Sequence, residues 1–326
     1  MSNFINFSNY LSTQIDFLLW LQNIRNHYSS LNQFFLFLTT FGEFLIPASV
    51  CGIVYWCFDA ILGIYLFSLF SINLLINQLA KMIACIYRPW ILNNNITPPQ
   101  EALKLARGYS FPSGHSSIAT SCYGGLAYIL KHKIFSTLLL MLILCVMFSR
   151  LWLGVHTPQD VIVGFLISAL LVFAIKPIIQ WCEEKHNRYL YLLAILDALA
   201  TLALSFICYK HYPMDYINEK LIVNPSSSIY ASVTCYGYAL GLLNGALLCR
   251  RFFPFNTEIS IKNKILRGIF GLIMLQIIFF LTSKYIFSLH QDYKVAFTVI
   301  FLFGLITTGI YPLIFTTIEK FIKHRQ

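Results

Sequence analysis

Three short polar islands interrupt an apolar first half, and their residue types suit the binding of an anion. The first, Lys81–Pro89 (KMIACIYRP), holds two cations seven positions apart. On a helix that is nearly two turns, which puts Lys81 and Arg88 on one face, with Asn73 and Asn77 on the same stripe. Alone, the pair also fits cations snorkelling at a helix end. The second, Gly108–Ser116 (GYSFPSGHS), stands directly before an apolar run. Pro, Ser and Gly ahead of a helix leave free backbone N–H groups, a ready anion site. Ser113 adds a hydroxyl, Gly114 permits close backbone approach and His115 can donate a proton, although an ordinary capped helix start uses the same letters. The third, Ser149–Asp160 (SRLWLGVHTPQD), ends one apolar run at Arg150, breaks at Gly154 and opens the next with Pro158 at the first helical position. Asp160 falls in that first turn and can reach back to His156. It can equally close a capping box with Thr157, and both roles coexist only if the carboxylate is shared.

In order, these islands read Lys-x6-Arg-Pro, Pro-Ser-Gly-His and Ser-Arg-x5-His-x3-Asp. Together they resemble the complete signature of the type 2 phosphatidic acid phosphatase superfamily, over roughly residues 30–180; vanadium haloperoxidases and glucose-6-phosphatases share these motifs. The resemblance implies His156 as a nucleophile toward phosphorus, Asp160 as the group that holds its tautomer, and His115 as the proton donor to the leaving oxygen. It further implies a phosphate cradle of Lys81, Arg88, Ser113, Gly114 and Arg150. Asn77 and Ser149 are supporting candidates, and so is Glu43, which equally fits an interface residue reaching water. Elementary chemistry agrees. A transferring phosphoryl group spreads negative charge over its equatorial oxygens, so fixed positive charge and positioning do most of the work, and a neutral imidazole can attack phosphorus. Neither a metal nor another cofactor is expected, since no carboxylate cluster exists to hold a metal.

The elements that must position these residues are membrane helices. Of 326 residues, 58% are hydrophobic and 11% charged, where a soluble domain carries roughly 25% charged residues. Nine apolar runs are long enough to span a bilayer, near 34–57, 61–80, 115–131, 134–152, 158–179, 189–209, 228–249, 266–288 and 294–317. The fold class expected is all-α: a polytopic membrane bundle of about nine spans, with a catalytic core of six-helix type and extra C-terminal helices. Residues 1–180 would form the catalytic part, with residues 15–24 as an interfacial helix, and 181–326 a further four-span region. Met1–Gln14 lacks the pattern of a cleavable signal, so the first span is expected to direct insertion.

The net charge of +10 would suggest nucleic acid in a soluble protein. Here many basic residues fall in short loops between apolar runs, where they set orientation, and no nucleic-acid partner is expected. Thirteen of them lie on one side of the alternating spans and ten on the other. That bias implies an outside N-terminus, an inside C-terminus and motifs on the non-cytoplasmic face, in a bacterial cytoplasmic membrane. The nine cysteines show no paired or zinc-type spacing. Asp197, inside a span, reads as an interhelical hydrogen-bonding group, and Lys104 and Arg107 as a solvated loop face. Oligomeric state is not legible.

The expected partners are membrane lipid and a lipid phosphate or isoprenyl diphosphate substrate. A nine-span layout also resembles the glucose-6-phosphatases, which would act on a soluble sugar phosphate, and a lipid phosphotransferase would use the same residues. Three features resemble bacterial lipid phosphatases instead: Asp160, the run Phe111–His115, and Val54–Asp59 (VYWCFD). A non-enzymatic transporter would leave the whole constellation without a task.

Overall fold

The computed structural model describes residues 2–106, 108–217, 219–286 and 292–323. Helices make up nearly all of it, with one two-stranded antiparallel hairpin pairing Tyr216–Ile217 with Lys220–Leu221. Among the described residues, seven helices are long and apolar enough to cross a membrane, or eight if the bent pair Leu31–Thr40 and Leu45–Phe58, meeting at 44°, is one span. The expectation of about nine exceeds this count by one run, the one near 115–131. That run is helical from 114 to 130, about 25 Å at 1.5 Å per residue, against a hydrocarbon core of about 30 Å. It ends because Lys131 adopts a left-handed conformation, φ 49°.

Compactness groups the chain into two units that interleave along the sequence. The first comprises Met1–Glu43, Asn77–Ala169 and Lys210–Ser228, and it contains all three motifs. Its N-terminal helix runs Ser2–His27, well beyond the ten residues expected. Ile15, Leu18, Leu21, Gln22 and Arg25 recur at helical spacing and are buried. Leu21 packs with Ala102, Ala106, Trp152, Leu153 and Val155, so this helix bears directly on the segment that leads into His156.

The second unit comprises Phe44–Ile76, Leu170–Tyr209 and Ile229–Gln326. Its axis is the helix Pro225–Phe252, whose most apolar stretch is 83% buried. Gly237, Gly241 and Gly245 line one face of that helix. A Cβ on Gly241 would stand 2.1 Å from the Phe301 carbonyl oxygen, and one on Gly245 2.3 Å from Thr308 Oγ1. Small residues let the two backbones touch, the usual way membrane helices associate where no hydrophobic drive exists between them. The run Val54–Phe58 forms a π-turn, and Asp59 caps the next helix by accepting from the Ile61 and Leu62 amides. Asp197 accepts from Asn244 Nδ2 at 3.0 Å, the interhelical role expected of it.

Candidate active site

The first motif does not form one helical face. The helix Ala60–Ala84 carries Lys81 in its last turn and then breaks, with Cys85 at φ 49° and Arg88 extended at φ −70°, ψ 153°. The physical reason is Pro89, whose ring disfavours the helical conformation for the residue before it. The break separates the tasks of the two cations. Lys81 Nζ donates to the carbonyls of Tyr109, Ser110 and Pro112 at 3.1–3.5 Å, so the ammonium braces the loop of the second motif. Arg88 is buried; its Nε donates to the Gly108 carbonyl and its Nη1 to the Val155 carbonyl. The same Nη1 faces His156 Nε2 at 2.9 Å.

His156 sits in the turn between the helices Lys133–Trp152 and Pro158–Glu184 and is 2% exposed. Its Nδ1 lies 3.2 Å from Asp160 Oδ2. That oxygen also accepts from the Thr157 amide at 2.9 Å and from Ser110 Oγ at 2.5 Å, while the Asp160 amide donates to Thr157 Oγ1 at 3.4 Å. Capping and contact with the imidazole thus coexist, because one carboxylate serves both. An Nδ1 proton directed at Asp160 makes Nε2 the acceptor, which receives the Arg88 Nη1 hydrogen bond. Burial, then the charges of Arg88, Arg150 and Lys81, holds the His156 pKa well below its ordinary 6.5. The ring is neutral at neutral pH, the form that can attack.

The second motif starts a helix at Gly114. Ser113 is its N-cap, and its Oγ accepts from the Ser116 hydroxyl at 3.0 Å and the Ser116 amide at 3.5 Å. The Ser113 amide donates to the Asp160 carbonyl at 2.9 Å, which ties the second motif to the third. Asn77 reaches the same knot, because its Nδ2 donates to Ser117 Oγ, which in turn donates to the carbonyls of Ser113 and Gly164. A Cβ on Gly114 would meet nothing nearer than Asn77 Oδ1 at 3.7 Å, so this side of the helix start is open. His115 lies within the field of Arg150, Arg88, Lys81 and the His156 ring.

Arg150 is 1% exposed, and its Nη1 donates to Thr39 Oγ1 at 2.5 Å. Among the described residues, Arg150 Nε and His115 Nε2 are both buried without a hydrogen-bond partner. A buried polar nitrogen without a partner is uncommon in a folded protein, and two in one cluster suit an anionic ligand that would accept from both. Glu43 attracts Arg150 electrostatically, but no closed ion pair forms at Glu43 among the described residues. Ser149 turns away, donating to the Val146 carbonyl of its own helix at 2.6 Å. Lys104 is exposed in the last turn of the short helix Gln100–Leu105, and Arg107 lies outside the described residues. No group of three or more metal-ligating side chains occurs among the described residues.

Two participants are absent from the motif reading. Ser110 is fully buried, bonded to Asp160 and 3.3 Å from His156 Nδ1. Arg25, 3% exposed, donates to the Trp152 carbonyl at 2.9 Å and the Thr97 carbonyl at 2.6 Å, and its Nη2 donates to Gln22 Oε1. It thereby grips the backbone just before Gly154, whose φ of 69° turns the chain toward His156.

Known proteins resemble this chain in both its first and its second half. A sequence model described as the PAP2 superfamily matches residues 60–184, and one described as a PAP2 superfamily phosphatase transmembrane extension matches residues 233–322. The chain is 27% identical over 182 residues to the bacitracin transport permease protein BcrC of Bacillus licheniformis, which covers 54% of this chain and 86% of that protein. It is 32% identical over 136 residues to phosphatidylglycerophosphatase B of Bacillus subtilis, covering 39% of this chain and 61% of that one, a little under two thirds of its length. It is 28% identical over 151 residues to an undecaprenyl-diphosphatase of Sulfolobus acidocaldarius, covering 45% and 70%. No solved structure matches. The chain belongs to the PAP2 superfamily and is, by that membership, an integral membrane phosphatase.

Proposed function

We propose that this phosphatase hydrolyses a lipid phosphate or isoprenyl diphosphate through a phosphohistidine on His156, without a metal ion. One observation carries the reading. An oriented neutral imidazole, with Nε2 against Arg88, shares a buried cluster with the unpartnered nitrogens of His115 and Arg150. His156 Nε2 attacks phosphorus, and the bond from phosphorus to the leaving oxygen breaks as His115 gives that oxygen a proton. Asp160 stabilises the positive charge that develops on His156. His115 then takes a proton from water as the water oxygen displaces His156 from phosphorus, releasing inorganic phosphate. Arg88 and Arg150 hold the equatorial oxygens together with the Gly114 amide, while Lys81 adds charge and keeps the loop of the second motif in place.

The lipid class is supported by relatives whose names refer to phosphatidylglycerophosphate and undecaprenyl diphosphate. The test is phosphate release by purified protein, in detergent with chelator, from isoprenyl diphosphate, phosphatidate, lysophosphatidate and glucose 6-phosphate. A buried chain contributes roughly 0.8 kcal/mol per CH₂. kcat/KM should therefore rise with chain length, and a long-chain substrate should exceed glucose 6-phosphate by at least about tenfold, or 1.4 kcal/mol. Equal turnover of the sugar phosphate with no chain-length dependence would overturn the lipid assignment.

A further inference from the structure

Within the second unit, a basic cavity forms where the helix Pro158–Glu184 ends. Lys185, His186, Asn187, Arg188, Tyr191 and Arg251 line about 560 Å³. Loops that set orientation are rich in basic residues without forming sites, so what matters is how these cations are held. Arg250 takes up Glu183 through Nε and Nη2, and the Tyr189 hydroxyl binds the same carboxylate. Arg188 is fixed by Glu184 at 2.6 Å and by the Trp181 carbonyl at 2.7 Å, with its guanidinium over the Trp181 ring at 4.6 Å. Arg251 is fixed by Asn187 Oδ1, which accepts from its Nε at 2.9 Å, and lies over the Phe252 ring at 5.0 Å. The nearby carboxylates are thus engaged by Arg250 and Arg188. The charges of Lys185 and Arg251 face the cavity without an ion pair among the described residues.

The rim of the cavity is aromatic and apolar. Trp181, Tyr191 and Phe252 are 45%, 63% and 51% exposed at the ends of their spans, where amphipathic rings meet the headgroup layer. From Tyr191 an exposed apolar face descends through Ile195, Leu199 and Leu202 at helical spacing. We propose that this cavity binds the headgroup phosphate of an anionic phospholipid whose chains lie along that face. Pinned guanidiniums suit a phosphate diester by forked hydrogen bonding, and basic pockets between membrane helices recognise anionic headgroups. The site does not depend on the phosphatase mechanism.

The test is native mass spectrometry of the intact protein after exposure to equal amounts of phosphatidylglycerol and phosphatidylcholine of the same chain length, with vanadate present to occupy the catalytic centre. Wild type should retain phosphatidylglycerol in preference to phosphatidylcholine. Lys185→Gln and Arg251→Gln should each weaken that retention about five-fold, at about 1 kcal/mol per cation near the membrane. Asn187→Ala changes no charge, yet should weaken it too by releasing Arg251. Unchanged phosphate-ester turnover in each variant shows that the fold is intact. Equal retention of both lipids, retention unaffected by the double variant, or loss of phosphatidylglycerol on adding vanadate would each overturn the proposal. Full displacement by millimolar inorganic phosphate would show a soluble-anion site and overturn the lipid assignment.

Discussion

At the scale of single residues, Asp160 Oδ2 is the busiest atom of the site, accepting from Ser110, from the Thr157 amide and from His156. His156→Ala should abolish turnover, since it removes the nitrogen that bonds to phosphorus. His115→Ala should lower kcat by about 10²–10⁴-fold if it acts as general acid and base, and rapid quench should then reveal acid-labile phosphohistidine when the second step is the slower one. Ser110→Ala removes a hydrogen bond to a charged group, about 1.5–3 kcal/mol. A loss of roughly ten-fold or more in kcat with little change in KM would mark a positioning residue, and unchanged kinetics would remove Ser110 from the site. The direction of the His156 shift gives a pH test. A lowered pKa means that protonation comes only as pH falls well below 6.5. Nitrogen NMR of labelled histidine in the free protein should find this ring neutral at pH 6.5, and a ring half charged there would contradict the burial argument. The motif positions themselves were legible from spacing. Ser110 was not, because a serine between Tyr109 and Phe111 carries no signal until the fold sets it against Asp160. The turn at Arg88 was legible in Pro89 but was masked by the attraction of a shared helical face.

Elements outside the motifs explain why the cluster holds its shape. The N-terminal helix is too polar overall to read as a span, and its longer extent escaped a reading based on apolar runs. Its buried arginine, however, closes three hydrogen bonds around the approach to His156. Arg25→Gln leaves the Trp152 and Thr97 carbonyls short of donors in a buried place, at about 1–3 kcal/mol. Thermal stability and kcat should both fall, and Arg25→Lys should recover part of the stability because it restores one donor. Unchanged melting in Arg25→Gln would show that the latch contributes nothing. In the second unit, spacing by four places Gly237, Gly241 and Gly245 on one helix face. No catalytic letter accompanies them, which is why a search for chemistry passes over them. Gly241→Leu would drive a side chain into the Phe301 backbone and should prevent stable folding. Gly268→Ala, whose Cβ would meet Cys57 Sγ at an ordinary 3.7 Å, should fold normally and serves as the control.

At the scale of the whole molecule, the open question of span number turns on residues 114–130, which are shorter than the other membrane helices. Their path decides it. The run starts with His115 in the catalytic cluster and ends at Lys131, two residues before the helix Lys133–Trp152 begins. Ser136 Oγ donates to the Ala127 carbonyl at 2.9 Å, so the two helices start back to back at that far end. The second of them then returns Arg150 to the cluster after 20 residues, about 30 Å. The shorter run therefore covers nearly the same depth, and the polar cluster at its head accounts for the missing length. Counted with this run, five apolar helices lie between the loop 90–107 and the loop 252–263, an odd number, which predicts loops on opposite sides of the membrane. Were the 114–130 run to dip and return, the number would be four and the loops would share a side. In a background lacking the nine natural cysteines, Asn94→Cys and Glu258→Cys place single thiols on exposed positions of those loops. With an impermeant thiol reagent on intact cells, the basic-residue bias predicts labelling at 94 and protection at 258 until the membrane is opened. Labelling of 258 alone would invert the orientation and turn the catalytic cluster toward the cytoplasm. Equal labelling of both would show that residues 114–130 do not cross.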